Sequence, residues 1–344
     1  MKFFSTFSGI GGFEIGIQNA YRSKVRGEQA NPSGDEGQGF FTEEGENTSS
    51  EDGRIGKRPT DFINERPLCV GYSEIDKYAI KVYERHFNHE NYGDITKINA
   101  DELPDFDCLV GGFPCQAFSI AGKRGGFDDT RGTLFFDLAR ILRAKQPRLF
   151  VFENVKGLLS HDGGKSFKTI VQTIDELGYD CQWQVLNSKN HGVPQNRERI
   201  IIVGHLRGTS RPEVFPITGS GEQTVNEVEV AGTLETDGWE KRFEQIRRVH
   251  STGGISPTIP TGTGGGVMTK VLENTRIRRL TPLECERLQG FPDNWTKLGV
   301  GDWAEDRSGR LFVEMSDSQR YKMCGNAVTT NVIQAVFEMI FASV

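Results

Sequence analysis

The feature that most constrains this chain is an alternation. Between residues 68 and 204, short runs rich in β-branched and aromatic residues take turns with longer stretches of helical period. Residues 68–73, 106–110 and 148–152 read as strands, with further strands near 181–187 and 199–204. Residues 76–87, 132–144 and 166–177 read as the helices between them. Strands that alternate with helices predict a largely parallel sheet covered on both faces. The chain opens in the same way. Residues 2–7 read as a buried strand, Ser8-Gly9-Ile10-Gly11-Gly12 as a Gly-rich turn and residues 13–21 as a helix. That is the order in which a doubly wound sheet begins. The fold class expected is α/β, with a doubly wound, mostly parallel, Rossmann-like sheet.

Two stretches break the alternation. Residues 26–60 are rich in Gly, Glu, Ser, Asn and Pro and poor in apolar residues, so they read as a disordered acidic insertion. Residues 206–275 are dominated by Thr, Gly, Pro and β-branched residues, with helical period weak outside 239–248. They read as a smaller, β-rich unit. Beyond it, residues 281–289 form a helix with Pro282 in its first turn, and residues 327–343 a closing helix. At 344 residues the chain is long enough for one large domain and a smaller one. The expected organisation is a ligand-binding and catalytic domain over 1–205, a second domain over 206–275, and a return segment over 276–344 that completes the first.

A net charge of −6 argues at first against a nucleic-acid partner. The distribution reverses that reading. Residues 27–53 hold eight acids and no base, and without those acids the net charge becomes +2. Basic residues gather at 189–211, 241–248 and 270–279, a pattern compatible with binding phosphates. No apolar run approaches the roughly 20 residues that span a bilayer. The N-terminus reaches Gly9 and Glu14 too soon for a signal peptide. A soluble, cytoplasmic protein without a membrane partner is expected. Six cysteines, at 69, 108, 115, 181, 285 and 324, form no C-x-x-C pair and histidine is sparse, so free thiols and no metal site are expected.

Ligands of doubly wound sheets bind at the carboxyl ends of the strands. Glu74 ends the second strand, where an acid can accept hydrogen bonds from ribose hydroxyls. Asp94, in Tyr92-Gly93-Asp94-Ile95, is placed to receive an amino group such as that of adenine. With the Gly-rich turn, these acids indicate an adenosine-bearing ligand without saying which. The decisive segment is Gly111-Gly112-Phe113-Pro114-Cys115-Gln116, which follows a strand and opens a loop rich in Gly, Ser, Lys and Arg over 117–132. A thiol on a loop at the sheet's carboxyl edge is placed as a nucleophile rather than as core filler. Phe152-Glu153-Asn154-Val155 puts an acid directly after the next strand, where it could donate a proton or a strong hydrogen bond. In Gln195-Asn196-Arg197-Glu198-Arg199, period 2 sets Gln195, Arg197 and Arg199 on one face.

The segments 7–13, 114–116, 153–155, 195–199, 279–282 and 325–328 together resemble the ordered motifs of the DNA cytosine-5 methyltransferases, closest to the compact bacterial or phage restriction-modification type. The resemblance covers roughly residues 1–20, 68–205 and 275–344. It implies S-adenosylmethionine as cofactor. Phe7, Gly9, Ile10, Gly11 and Gly12 would surround it, Glu74 would hold its ribose, Ile75 would pack on its adenine and Asp94, with Ile95, would bind the adenine edge. Pro114, Leu134 and Asn326 would complete the pocket. Ser5 stands where the family usually has an acid, which puts one polar contact in doubt.

The resemblance also implies a double-stranded DNA partner and a covalent mechanism. Cys115 would add to C6 of a flipped-out cytosine, helped by Gln116, while Glu153 would hydrogen-bond N3 and the exocyclic amino group. Arg199 would contact O2, Arg197 would support the cysteine loop or a phosphate, and Asn154 would hold the architecture. Ser119, Lys123, Arg131 and Gln195 are candidate DNA contacts. Residues 206–275 would recognise the target, with Gln245 and Arg248 near the vacated stack and a guanine, and Thr258 on a phosphate. A monomer is expected, with a cognate restriction endonuclease, where one exists, acting separately. Three alternatives stay open: a tRNA cytosine-5 methyltransferase, a nucleotide-binding regulatory module without catalysis, and a nicotinamide dehydrogenase.

Overall fold

A strand buried on both faces carries a continuous apolar run, and successive side chains then feed opposite cores. The computed structural model, which describes residues 1–30, 66–114, 134–219, 227–234, 247–261, 268–305 and 311–343, follows that rule closely. In chain order it begins with β1 (Lys2–Thr6), α1 (Gly12–Ala30), β2 (Leu68–Ser73), α2 (Lys77–His86), β3 (Cys108–Gly112), α3 (Leu134–Lys145) and β4 (Leu149–Val155). There follow α4 (Lys165–Glu176), β5 (Tyr179–Asn187), β6 (Gln195–Asn196) and β7 (Glu198–Leu206). Five of these strands and β7 form one sheet in the order β2-β1-β3-β4-β7-β5, leaving out β6. Phe3, Val110, Val151 and Val203 face one core, closed by Phe13 and Ile17 of α1. Phe4, Leu109, Phe152 and Ile202 face the other, closed by Leu138 and Ile141 of α3 and Ile170 of α4.

β1 to β4 run parallel. β7 is antiparallel to both β4 and β5, so β7 alone departs from the parallel pattern and β5 runs in the same direction as β4. The reason lies in the connection. Only a short link joins β5 to β7, and a parallel neighbour would need a crossover of about a dozen residues or more. The opening helix also differs from expectation. α1 continues to Ala30, so residues 26–30 are helical rather than the start of the insertion. Low apolar content does not forbid a helical extension, since Arg26, Glu28, Gln29 and Ala30 all have good helix propensity. The remainder of the 26–60 expectation, from residue 31, lies outside the described residues.

The strands that follow build a second sheet. β8 (Val230–Thr233), β9 (Arg248–Ser251), β10 (Ser256–Pro257), β11 (Lys270–Glu273) and β12 (Arg276–Arg279) come next in the chain. Four of them make a small sheet in the order β12-β11-β9-β8, so it extends through Arg279. β10 instead pairs with β6, which stitches this region to the strand leading into β7. Residues 211–217 run along β5, where Gln182 and Gln184 bond their backbone and Val214 and Ile217 enter the main core.

The chain then returns through α5 (Pro282–Leu288), the antiparallel pair β13 (Leu298–Glu305) and β14 (Leu311–Glu314), α6 (Asp317–Asn326) and α7 (Thr330–Ala342). α5 starts on a complete capping box, Thr281 with Glu284, and Pro282 sits in its first turn. Arg278 bridges Glu273 at 3.0 Å and Glu284 at 2.8 Å, fastening the small sheet to that helix. Val332, Ile333, Val336 and Phe337 of α7 cover the same core as α1. Among the described residues, no helix is long and apolar enough to cross a membrane.

Candidate active site

The carboxyl ends of β1, β2, β3 and β4 lie side by side and each delivers expected site residues. After β1 the chain turns through Phe7 and Gly9, both in the left-handed region at φ 51° and 54°. For Phe7 that conformation stores strain, as is common at ligand clamps. A Cβ at Gly9 would have nothing within 4 Å, so the loop borders open space there. Glu74, past the end of β2, braces this turn. Its Oε2 accepts from Gly9 N at 2.8 Å, and its Oε1 accepts from Ile75 N and Asp76 N, each at 2.8 Å. Ile75 is 71% exposed, a large apolar side chain that the described residues leave uncovered. Asp94 caps the short helical turn after it, accepting from Thr96 N at 3.0 Å. Hydrogen bonds from Thr96 hold its carboxyl below the usual carboxylate range.

The second corner is built by β3, β4 and β7. In-register pairing sets Gly112 against Glu153, and Glu153 against Ile201. Glu153 is nearly buried, and Arg199 Nε meets its Oε1 at 2.9 Å. Asn154, buried beside it, donates from Nδ2 to Phe113 O at 2.8 Å, while its Oδ1 accepts from Val155 N at 2.8 Å. The end of β4 therefore grips the exit of β3 at the residue before Pro114. Leu134 opens α3 on the far side of residues 115–133 and is partly buried in the core there.

Arg197 approaches from below. Gln195 and Arg197 are buried while Asn196 and Glu198 are exposed, the alternation expected of period 2. Arg197 Nη2 donates to Ala327 O at 2.9 Å and Gly325 O at 3.3 Å. Its Nε and Nη1 find no partner among the described residues. Burial pulls its guanidinium down to about 9, with Arg199 pushing the same way and Glu153 opposing. Such a buried, half-satisfied cation is suited to an anion. Asn326 ends α6 exposed, and the turn after it reaches the Gly-rich turn after β1: a Cβ on Gly12 would meet Val328 at 2.7 Å.

The remaining expected residues are placed as follows. Gln195 is fully buried, its Nε2 donating to Leu288 O at 2.8 Å and its Oε1 accepting from Ile259 N at 3.1 Å, so it supports the site from within instead of meeting DNA. Ile95 is 3% exposed and packs in the core beneath its loop, since the capped turn points that apolar side chain inward. Ile10, Gly11 and Gly12 are buried under the loop that Phe7 and Gly9 present. Thr258 is exposed and its hydroxyl donates to Asn196 O at 2.8 Å. Arg248 opens β9. Cys115, Gln116, Ser119, Lys123, Arg131 and Gln245 lie outside the described residues.

Other residues that matter were not picked out by sequence. Asn91 Oδ1 accepts from Gly93 N at 2.9 Å and from Glu74 N at 3.3 Å, joining the two acid-bearing loops. Trp295 Nε1 donates to Ile10 O at 2.9 Å and its indole stacks on His86. Glu14 is fully buried on α1, where burial pushes its carboxyl up to about 6 against hydrogen bonds from Ser5 and Tyr83.

With that geometry in view, the sequence was compared with known proteins. Residues 61–235 and 217–342 match the family of C-5 cytosine-specific DNA methylases. The chain belongs to that family. It is 39% identical over 296 residues to the Type II methyltransferase M1.ScrFI of Lactococcus lactis subsp. cremoris, covering 80% of this chain and 72% of that protein. It is 37% identical over 297 residues to the Type II methyltransferase M.HhaI of Haemophilus parahaemolyticus, covering 78% of this chain and 86% of that protein. The fold is also that of an S. pombe Dnmt2 methyltransferase structure, with a TM-score of 0.61 at 15% identity over 99% of this chain and 98% of that one. The chain is thus a DNA cytosine-5 methyltransferase, and S-adenosylmethionine is its methyl donor.

The residues present fit that donor. A loop bent by two left-handed residues borders open space at Gly9, and a carboxylate, Glu74, stands against its backbone. An uncovered isoleucine follows Glu74, offering an apolar face to an aromatic base, and Asp94 on the neighbouring loop offers an acceptor.

Proposed function

We propose that this methylase modifies a cytosine extruded from a short duplex site, through a covalent bond between Cys115 and C6. The observation that supports this most strongly is the Glu153–Arg199 pair at 2.9 Å, set at the corner from which the chain enters Pro114-Cys115. Unaided, C5 of cytosine is a poor nucleophile. The sulfur anion of Cys115 adds to C6, and the ring electrons shift to make an enamine with density at C5. Glu153 shares a proton with N3 and accepts from the exocyclic amino group, while Arg199 donates to O2, so the charge that develops on addition is met by fixed partners. Gln116 assists the addition, Asn154 holds the exit of β3, and Arg197 supports the cysteine loop or a phosphate. S-adenosylmethionine, held by Phe7, Gly9, Glu74, Ile75 and Asp94 with Pro114, Leu134 and Asn326, supplies an electrophilic methyl group. Loss of the C5 proton to water and expulsion of the Cys115 sulfur regenerate the thiolate and leave 5-methylcytosine.

The other cysteines support this choice by their placement. Burial pushes up the thiols of Cys69, Cys108, Cys181, Cys285 and Cys324, for Cys181 to about 11 and for Cys285 to about 12. None of these five is a ready thiolate at neutral pH.

A base inside a duplex is out of reach, so the cytosine is flipped at a cost of about a few kcal/mol. The region over 206–275, with the small sheet that runs on to Arg279, reads the site, through Arg248 and Gln245, and Thr258 meets a phosphate. Ser119, Lys123 and Arg131 contact the DNA backbone. The Type II relatives favour a protective role beside a separate restriction endonuclease. We read the protein as a cytoplasmic monomer. Bisulfite sequencing of DNA from cells expressing the protein tests the reading and maps the site. Conversion-resistant cytosines at one short motif are expected, and their absence from DNA together with methylated tRNA would refute it.

A further inference from the structure

Gln289 closes α5 as its C-cap residue and is fully buried. Its amide joins segments far apart in the chain. Nε2 donates to Cys324 O at 2.7 Å and Ala327 O at 3.2 Å, the carbonyls on either side of Asn326. Oε1 accepts from Thr329 Oγ1 at 2.8 Å and from Gln195 Nε2 at 3.4 Å. All four hydrogen-bonding positions of this amide are therefore filled. Gln195 carries the chain onward, accepting from Ile259 N at 3.1 Å, and Ile259 follows Thr258. The two ends also touch directly, since a Cβ on Gly325 would stand 2.5 Å from Pro260 O.

We propose that Gln289 is a positioning residue that couples the segment at Thr258–Ile259 to the turn at Asn326, so that DNA seated on the first tightens cofactor binding at the second. The proposal rests on the reading above that Thr258 meets DNA and Asn326 the cofactor. The physical case is one of rigidity. A buried amide with every partner in place cannot tilt without leaving a carbonyl or an N–H unpaired, so displacement at Ile259 is passed to the 324–327 turn rather than absorbed. Arg197 grips the same turn through Ala327 O, which keeps the motion aligned with the catalytic corner. The coupling is a difference in cofactor affinity between the DNA-bound and free states, and it must be reciprocal.

The test titrates S-adenosylhomocysteine into the full chain by calorimetry, with and without a duplex carrying the site mapped by bisulfite sequencing. The ratio of the two Kd values is the readout. In the native protein DNA should tighten binding about tenfold. Gln289→Met keeps length and burial but removes the bonds, and should bring the ratio to within about twofold of one, while Kd without DNA changes less than about threefold. Thr329→Val, which removes the hydroxyl donor to Oε1 together with its bond to Ser188 Oγ, should lower the ratio in the same direction and carries the test if Gln289→Met does not fold. A ratio that survives in the folded variants, with only the Tm reduced, is what a purely structural role gives and would overturn the proposal. So would a ratio of one in the native protein. If Thr258→Ala leaves DNA affinity intact and Asn326→Ala leaves S-adenosylhomocysteine affinity intact, it is the underlying reading that has failed.

Discussion

Replacing Asn154 with alanine separates positioning from scaffolding at the catalytic corner. Asn154 is buried and touches no reacting atom in the proposed mechanism. Its Nδ2 bond to Phe113 O, 2.8 Å long, is what fixes the exit of β3 one residue before Pro114. Its second bond, to Val155 N, lies at an exposed residue where water can replace it. The loss therefore falls on Phe113 O. Leaving a buried carbonyl without a donor costs about 1–3 kcal/mol. If that cost appears as misplacement of the loop in the transition state, it slows methyl transfer by about 5- to 150-fold. If it appears only as lost stability, kcat is unchanged. The account expects the first. Single-turnover transfer of labelled methyl groups into DNA gives the rate, and calorimetric titration of S-adenosylhomocysteine shows whether the cofactor site, which Asn154 does not touch, stays within about twofold of native. A native rate in a protein destabilised by the full 1–3 kcal/mol would refute the positioning argument.

Two further expectations concern buried charge. Because burial raises the Glu14 carboxyl from 4.5 to about 6, its contribution is fully present below the unfolded value and is lost as pH rises through about 6. Between pH 4.5 and 7.5, Glu14→Gln should gain about 1–2 kcal/mol on the native protein in urea unfolding, and a difference that does not change with pH would contradict this. Glu286 is fully buried and meets Arg320 Nη2 at 2.9 Å. Arg320→Met would strand that carboxylate, so thermal or urea unfolding should show a loss of about 3–5 kcal/mol, and a loss under about 1 kcal/mol would show that Asn294, Thr296 and solvent suffice to hold it.

Much of this was legible in the sequence, and what was not has physical reasons. The strand runs announced themselves because both faces of the central sheet are buried, so Leu149 to Phe152 is uninterruptedly apolar. The candidate site residues stood out because they sit at strand ends, where a doubly wound sheet places its ligands. The antiparallel setting of β7 was not, because strand direction depends on connection length and on which edge is free. α6 was missed because its sequence, DSQRYKMCGN, is mostly polar and has little amphipathic signal. Gln195 looked like a surface contact because period 2 names a shared face but does not say whether that face is turned to solvent or covered by α5. Asn91, Trp295 and Gln289 act through bonds to residues distant in sequence. Trp295 and Ile10 are 285 positions apart, and no local pattern marks such a pair.

The central claim is that the sulfur of residue 115 bonds to the cytosine. A duplex carrying 5-fluorocytosine at the mapped site, incubated with the protein and S-adenosylmethionine, provides the direct measurement, because fluorine at C5 blocks the proton loss that precedes release of the enzyme. Denaturing electrophoresis followed by peptide mass spectrometry should find a stable adduct on Cys115, and none with Cys115→Ser. Methylation of normal cytosine at the same site without any adduct, or an adduct on another residue, would contradict the account.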